Sequence, residues 1–160
     1  EWLKRLSEEE FYERALPWIK KGVKREDIDF HFLAGLLKTR CDYFGEIPPQ
    51  LEFVDEMSDY DTAMFTHKKM KTTPETSLET LKKLLPVMEG IDNWTFDNIH
   101  DTIFAFIKEE GLKNGAVLWP LRVAITGQQF TPGGGTDAAY LLGKEDTLAR
   151  IKRSIEKLQA

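Results

Sequence analysis

The chain has 160 residues, of which 41% are hydrophobic and 31% charged, and its formal net charge is -5 at pH 7. This length and composition are those of a globular protein with one good core or two small ones. The longest apolar run, residues 116–125, is interrupted by Pro120 and Arg122 and is shorter than the roughly 18 residues that a membrane span needs. A single cysteine, Cys41, excludes an internal disulfide and is typical of a reducing compartment.

The start of the chain lacks both a methionine and the basic and apolar segments of a signal peptide. We therefore expect a cytoplasmic protein and a piece of a longer or processed chain. The negative net charge argues only weakly against a nucleic-acid partner, because cations can gather on one face of an acidic protein.

The first elements are predicted to be helical. Ser7 and Glu10 form a capping box, the apolar residues after them recur at helical spacing, and Gly22 is a plausible end. A second helix is predicted from about Asp27 to Phe44, followed by a Pro-Pro pair that excludes its continuation. Residues 46–66 are acidic and aromatic, which indicates short helical turns and loops.

The helical signal returns after a Lys- and Thr-rich segment. Thr76 and Glu79 form a second capping box, and Thr95 is the N-cap of a further helix that Gly111 ends. The apolar spacing around Pro120 favours a helix that continues through the proline, although β-branched residues leave a short strand as an alternative.

The last two elements are also predicted to be helices. A short helix after the Pro-Gly-Gly-Gly turn is closed by Gly143, and a final one runs from Glu145 to Gln159. Its apolar spacing leaves Arg150 on the exposed side. The sequence therefore predicts an all-α protein.

Catalytic and metal-binding patterns are mostly missing from the sequence. His31, His67 and His100 are scattered and lack the spacing of a helical metal site. Cys41 has no local histidine that could activate it as a nucleophile, so an inert thiol is the simpler interpretation. The glycine-rich turn lacks the Gly-Lys-Ser/Thr ending of a phosphate loop. We therefore expect no catalysis by this chain alone and no cofactor or metal within it.

Two features favour binding instead. Arg122 interrupts an apolar helix beside Trp119, so it is either a surface cation whose stem lies along the helix or a donor for an anion or a base edge. The segment Thr131-Pro132-Gly133-Gly134-Gly135 leads into a helix N-terminus, which attracts phosphate or a base carbonyl unless the segment is only a flexible loop.

Five segments follow one another along the chain: LLKTRCDYFGEIP, NWTFDNIHDTIFAFIKEEGLKNG, LWPLRVAITG, TPGG and YLLGKEDTLARI. In content and order they resemble the C-terminal part of bacterial glutamyl-tRNA synthetases. The resemblance covers essentially the whole chain and is weakest over residues 50–75.

The resemblance implies two packed helical subdomains of the class I synthetase anticodon-binding type, residues 1–72 and 73–160. The family's catalytic domain is a Rossmann-type fold that uses ATP and magnesium. Neither of its ATP-binding signatures occurs in this chain. The implied partners are glutamate tRNA and an N-terminal catalytic domain, and the implied state is a monomer. The implied function is recognition of the anticodon, without catalysis by the chain itself.

The same resemblance assigns the readers of the anticodon. Arg40 would read the third base, because a guanidinium only donates hydrogen bonds and unpaired cytosine offers acceptors at O2 and N3, whereas guanine presents its own donors. Arg122 and Thr131 would contact the first two bases, with Gly133 and Gly134 beside them. Many relatives have Leu-Phe after Thr-Pro-Gly, whereas this chain has two further glycines and one extra residue.

Three further cations, Lys38, Lys144 and Arg150, are candidates for contacts with the RNA backbone. The competing interpretation is a helical module for protein–protein interaction, whose surface would include Trp119 and the acidic residues 52–61.

Overall fold

The computed structural model describes residues 2–57 and 59–160 as a set of packed helices. The α-helices are α1 (Glu8–Gly22), α2 (Phe30–Lys38), α3 (Ile47–Gln50), α4 (Glu52–Asp55), α5 (Pro74–Glu89), α6 (Phe96–Glu110), α7 (Asn114–Thr126), α8 (Gly135–Leu142) and α9 (Lys144–Gln159). An isolated antiparallel bridge joins His67 to Thr72, and no strand forms within these residues. The all-α prediction is confirmed. None of the helices in the described residues is long and apolar enough to cross a membrane.

Several helix ends lie where the capping residues predict. The Ser7 hydroxyl accepts a hydrogen bond from the Glu10 amide at 3.1 Å, and Thr95 accepts from the Asn98 amide at 3.2 Å. Gly111 ends α6 in the left-handed region with a φ of 66°, which a residue without a Cβ adopts at little cost.

The second helix is shorter than predicted at both ends. Asp29 is the N-cap of α2, and its carboxylate accepts from the Phe32 amide at 3.0 Å. At the other end, the Thr39 hydroxyl donates to the Leu36 carbonyl at 3.2 Å, and the helix stops at Lys38. Arg40 consequently lies on the loop after α2, where its side chain is exposed.

Prolines explain a second difference. The Thr76–Glu79 capping box is wrong, because Thr73 is the N-cap of α5 and accepts from the Thr76 amide at 3.2 Å. Pro74 then occupies the first helical position, where its fixed φ is favourable and no amide is needed. Farther along, α7 continues through Pro120, so the strand alternative for this segment is also wrong.

The buried apolar residues form one continuous cluster from Leu3 to Ile151. Residues 60–65 pack against the later helices: the Tyr60 hydroxyl donates to Ser154 Oγ at 2.7 Å, and the Trp119 indole donates to the Met64 carbonyl at 3.1 Å. The division into subdomains 1–72 and 73–160 remains a prediction.

Arg150 lies in the interior, 2% exposed, and the prediction of an exposed cation is wrong. Its guanidinium donates to the carbonyls of Phe53 and Ile125, each at 2.7 Å, and to that of Val54 at 3.3 Å. It also pairs with Asp146 at 3.1 Å, one helical turn earlier. One buried side chain thereby joins α9 to the end of α7 and to α4.

Substitution of Arg150 by Met should lower the free energy of unfolding by about 3–5 kcal/mol, because it leaves buried carbonyls unsatisfied and the Asp146 carboxylate with one fewer cation. Denaturant titration of the two proteins measures the difference. The matched control is Arg153→Met on the exposed side of the same helix, for which a change within about 0.5 kcal/mol is expected. Equal effects of the two substitutions would contradict the role of Arg150.

Candidate nucleic-acid interface

Arg122 is held half-buried by the loop that follows its own helix. Gly127 ends α7 with a φ of 67°, and the chain then folds back over the helix. The Arg122 guanidinium donates to the Gln129 carbonyl at 3.0 Å and to the Gly133 carbonyl at 3.5 Å. Its Cζ lies 5.8 Å from the centre of the Trp119 ring, within the range of a cation–π contact. These contacts fix the direction of the guanidinium.

The charge of Arg40 acts on Arg122 although the two residues come from distant parts of the sequence. Burial lowers the pKa of the Arg122 guanidinium, and the positive charge of Arg40 lowers that pKa further, whereas the Asp137 carboxylate raises it. Arg122 nevertheless keeps its charge at neutral pH. The Arg40 side chain is exposed and forms no hydrogen bond or ion pair within residues 2–57 and 59–160. Its donors are therefore available to a ligand.

The Thr131 side chain lies inside its own turn, and its contact with the anticodon remains a prediction. Its residue is 4% exposed, and its hydroxyl donates to the Gly133 carbonyl at 2.8 Å, inside the turn. The Gly133 carbonyl also accepts from Arg122, so Thr131 shapes the loop around the guanidinium.

The glycines after Pro132 let the loop meet α8 at short range. Gly133 has a φ of 79°, and a Cβ there would lie 2.6 Å from the Asp137 carboxylate. That carboxylate accepts from the Gly134 amide at 2.7 Å and so caps the N-terminus of α8. A Cβ on Gly135 would lie 3.1 Å from the Leu118 carbonyl, so α8 packs directly on the backbone of α7. The departure from the Leu-Phe pair of many relatives thus accompanies a close helix contact.

The three predicted backbone cations all donate to carbonyl groups of the protein. Lys38 donates to the Lys4 carbonyl at 3.0 Å, and Lys144 donates to the Ile91 carbonyl at 2.7 Å. Both lysines are partly exposed and remain candidates for RNA contacts. The prediction for Arg150 is wrong, because its guanidinium is buried among carbonyl groups and cannot reach a phosphate.

A groove of about 720 Å³ lies beside Arg122, between α6, α7 and the loop before α8; we call it the α6–α7 groove. Its aromatic lining includes His67, His100, Phe104 and Phe130, none of which the sequence analysis assigned to the site. One of these lining residues could have been found from the sequence, because Phe130 is a single large apolar residue among the polar and glycine residues of a loop.

Parts of the surface suggested for a protein–protein module make contacts within the molecule, although its acidic side chains are exposed. The Trp119 indole donates to a carbonyl, and its ring packs at 4.4 Å from the ring of His67. In the acidic segment, Asp55 accepts from the Lys24 and Arg25 amides, and Asp59 pairs with Lys157. These contacts weaken that interpretation.

Substitution of Gly133 by Ala should destabilise the protein by about 1–2 kcal/mol, because the positive φ is strained for alanine and the new Cβ meets the Asp137 carboxylate. Gly134→Ala is the matched control, because its Cβ would lie 3.6 Å from Nη2 of Arg122, which is an ordinary contact. Thermal unfolding followed by circular dichroism compares the two. A Gly133 variant as stable as the Gly134 variant would contradict the geometry of the turn.

Comparison with known proteins agrees with the resemblance. A family model described as an anticodon binding domain matches residues 10–155. The chain is 47% identical to a glutamate–tRNA ligase of Clostridium acetobutylicum, covering 99% of this chain and 33% of that protein, and 50% identical to one of Clostridium tetani, covering 99% and 32%. It thus spans about a third of the length of these relatives.

A solved structure has the same fold. The crystal structure of a glutamate tRNA ligase from Elizabethkingia meningosepticum, in complex with its amino acid, superposes with a TM-score of 0.78 at 25% identity and covers 98% of this chain and 30% of that one. The chain therefore belongs to the anticodon-binding domain family, in the form found in glutamate–tRNA ligases.

Proposed function

We propose that this chain binds the anticodon of glutamate tRNA through one surface that Arg40 and Arg122 share. In this proposal the chain is the tRNA-recognising part of a monomeric, cytoplasmic glutamate–tRNA ligase. Ligation of glutamate, with its need for ATP and magnesium, belongs to a catalytic domain outside the matched third of such enzymes. The two arginines come from the proposed subdomains 1–72 and 73–160 respectively.

The observation that carries this proposal is the geometry of Arg122, whose half-buried guanidinium is held by the Gln129 and Gly133 carbonyls beside the α6–α7 groove. The chain around it matches an anticodon-binding family model over residues 10–155. Arg40, whose positive charge lowers the Arg122 pKa, is exposed and has no ion-pair partner in the described residues. A ligand with hydrogen-bond acceptors satisfies the free donors of both groups. An unpaired base offers acceptors on its Watson–Crick edge, and the adjoining phosphates add negative charge.

The two arginines differ in exposure, and this difference suits them to different roles in recognising the RNA. Arg122 is half-buried and its direction is fixed by two carbonyls, so its remaining donors point from a rigid position. Arg40 is exposed on a loop and adapts to the ligand. A rigid donor gives geometric selectivity, and a mobile one completes the contact when the base arrives.

Substitution of Arg40 by Gln should reduce discrimination between cytosine and guanine at the third anticodon position by about 1–3 kcal/mol, a factor of roughly 5 to 150. A glutamine amide both donates and accepts, so it can pair with the guanine donors that a guanidinium rejects. The measurement is the ratio of dissociation constants for glutamate tRNA and its third-base variant. An unchanged ratio would count against Arg40 as the reader of that base.

Arg122→Gln should weaken binding of glutamate tRNA about tenfold while leaving the slope of affinity against salt concentration nearly unchanged, because a base contact releases no counterion. Binding is measured at several salt concentrations, with a tRNA of swapped anticodon as the RNA control. Lys83→Gln is the protein control, since Lys83 lies outside the α6–α7 groove and pairs with Glu110. If the swapped tRNA bound as tightly as glutamate tRNA, the proposed function would be lost.

A further inference from the structure

Phe130 is the most exposed large hydrophobic residue of the described chain, at 82%. Its ring forms no stacking or cation–π contact within residues 2–57 and 59–160. An isolated apolar side chain on a surface needs no special explanation. The surroundings of Phe130, rather than its exposure alone, indicate a function.

Gln129, the residue before Phe130, links Phe130 to Arg122. The Gln129 carbonyl accepts from the Arg122 guanidinium at 3.0 Å, and both Phe130 and Arg122 line the α6–α7 groove. An open aromatic face and a fixed donor group therefore border the same depression. The donor suits the edge of a base and the aromatic ring suits its face.

The electrostatics of the groove favour an uncharged, flat ligand. Of the described residues that line it, Arg122 and Asp137 carry a formal charge, and the Asp137 carboxylate already accepts from the Gly134 amide. The other side chains include the stacked pair His100 and Phe104, whose ring centres lie 4.3 Å apart. A nucleobase fits such walls, whereas phosphate groups would remain in solvent at the rim.

We propose that Phe130 is a stacking platform for an unpaired base of the anticodon loop, next to the position contacted by Arg122. This inference rests on the proposed function and adds a residue to it. Proteins that recognise single-stranded RNA commonly stack splayed bases on aromatic side chains while other groups bind the base edges. Stacking tolerates any base, so Phe130 contributes affinity and orientation while the arginines supply the selectivity.

The test uses the complete chain and a synthetic anticodon stem–loop of glutamate tRNA, with the fluorescent base 2-aminopurine placed at one loop position at a time. Phe130→Ala removes the ring, Phe130→Leu keeps an apolar side chain without it, and Phe130→Tyr restores it. Leu112→Ala is the matched control, because Leu112 is also an exposed hydrophobic residue but does not line the groove. Circular dichroism verifies that each variant is folded.

If Phe130 stacks on a base, the Phe130→Ala and Phe130→Leu variants bind the stem–loop roughly tenfold more weakly than the unmodified chain does. The Phe130→Tyr and Leu112→Ala variants bind it as tightly as the unmodified chain. Fluorescence at one loop position should be quenched by the unmodified chain and by the tyrosine variant, and it should stay bright with the alanine variant.

Two results would overturn the inference, and they differ in what they say about the proposed function. If Phe130→Ala binds and quenches like the unmodified chain while Arg122→Gln loses affinity, the platform fails and the anticodon-binding function stands. If neither the unmodified chain nor any variant binds the stem–loop, both proposals fail together.

Discussion

The carboxylate of Asp146 holds two guanidinium groups, those of Arg25 at 2.8 Å and Arg150 at 3.1 Å. Both arginines also donate to the Val54 carbonyl, and Arg25 donates to the Leu142 carbonyl at the end of α8. This cluster therefore fixes α9, α8 and α4 against one another. Because α8 packs on the backbone of α7, the position of Arg122 relative to the earlier part of the chain depends on it.

Arg150, Arg40 and Arg122 have the same side-chain chemistry and differ in the partners that surround them. Arg150 lies among carbonyls and a carboxylate, and four of its five N–H donors are used inside the fold. Arg40 has no such partner in the described residues, and Arg122 is only partly satisfied. A buried arginine whose donors are paired stabilises a packing arrangement. An arginine that lies near a like charge favours the binding of a ligand with hydrogen-bond acceptors.

Helix boundaries were predictable where a local signal decides them, as at Ser7, Thr95 and Gly111, because capping involves residues within one turn. The start of α5 was not, since Thr73 and Thr76 both satisfy a capping pattern and Pro74 decides between them. The burial of Arg150 follows from tertiary contacts with carbonyls about 25 and 97 residues away in sequence. Its spacing from the buried Thr147 and Ser154, three and four residues away, was the local signal for it.

The candidate site was predictable only through the resemblance. The local sequence favoured a surface position for Arg122, and no local pattern connects it with Arg40. The influence of the Arg40 charge on Arg122 depends on how distant segments pack in the folded chain, which no local pattern predicts. The same holds for the α6–α7 groove, whose lining comes from several separate segments.

The central claim is that the two arginines form one RNA-binding surface. The most direct test is a nuclear magnetic resonance titration of the chain, labelled so that arginine Nε–H and backbone amide signals are observed, with the anticodon stem–loop of glutamate tRNA. The account predicts that the signals of Arg40, Arg122 and residues 129–134 shift together, at the same RNA concentrations, and that those of Arg150 stay in place. Shifts confined to one of the two arginines, or concentrated elsewhere on the protein, would contradict it.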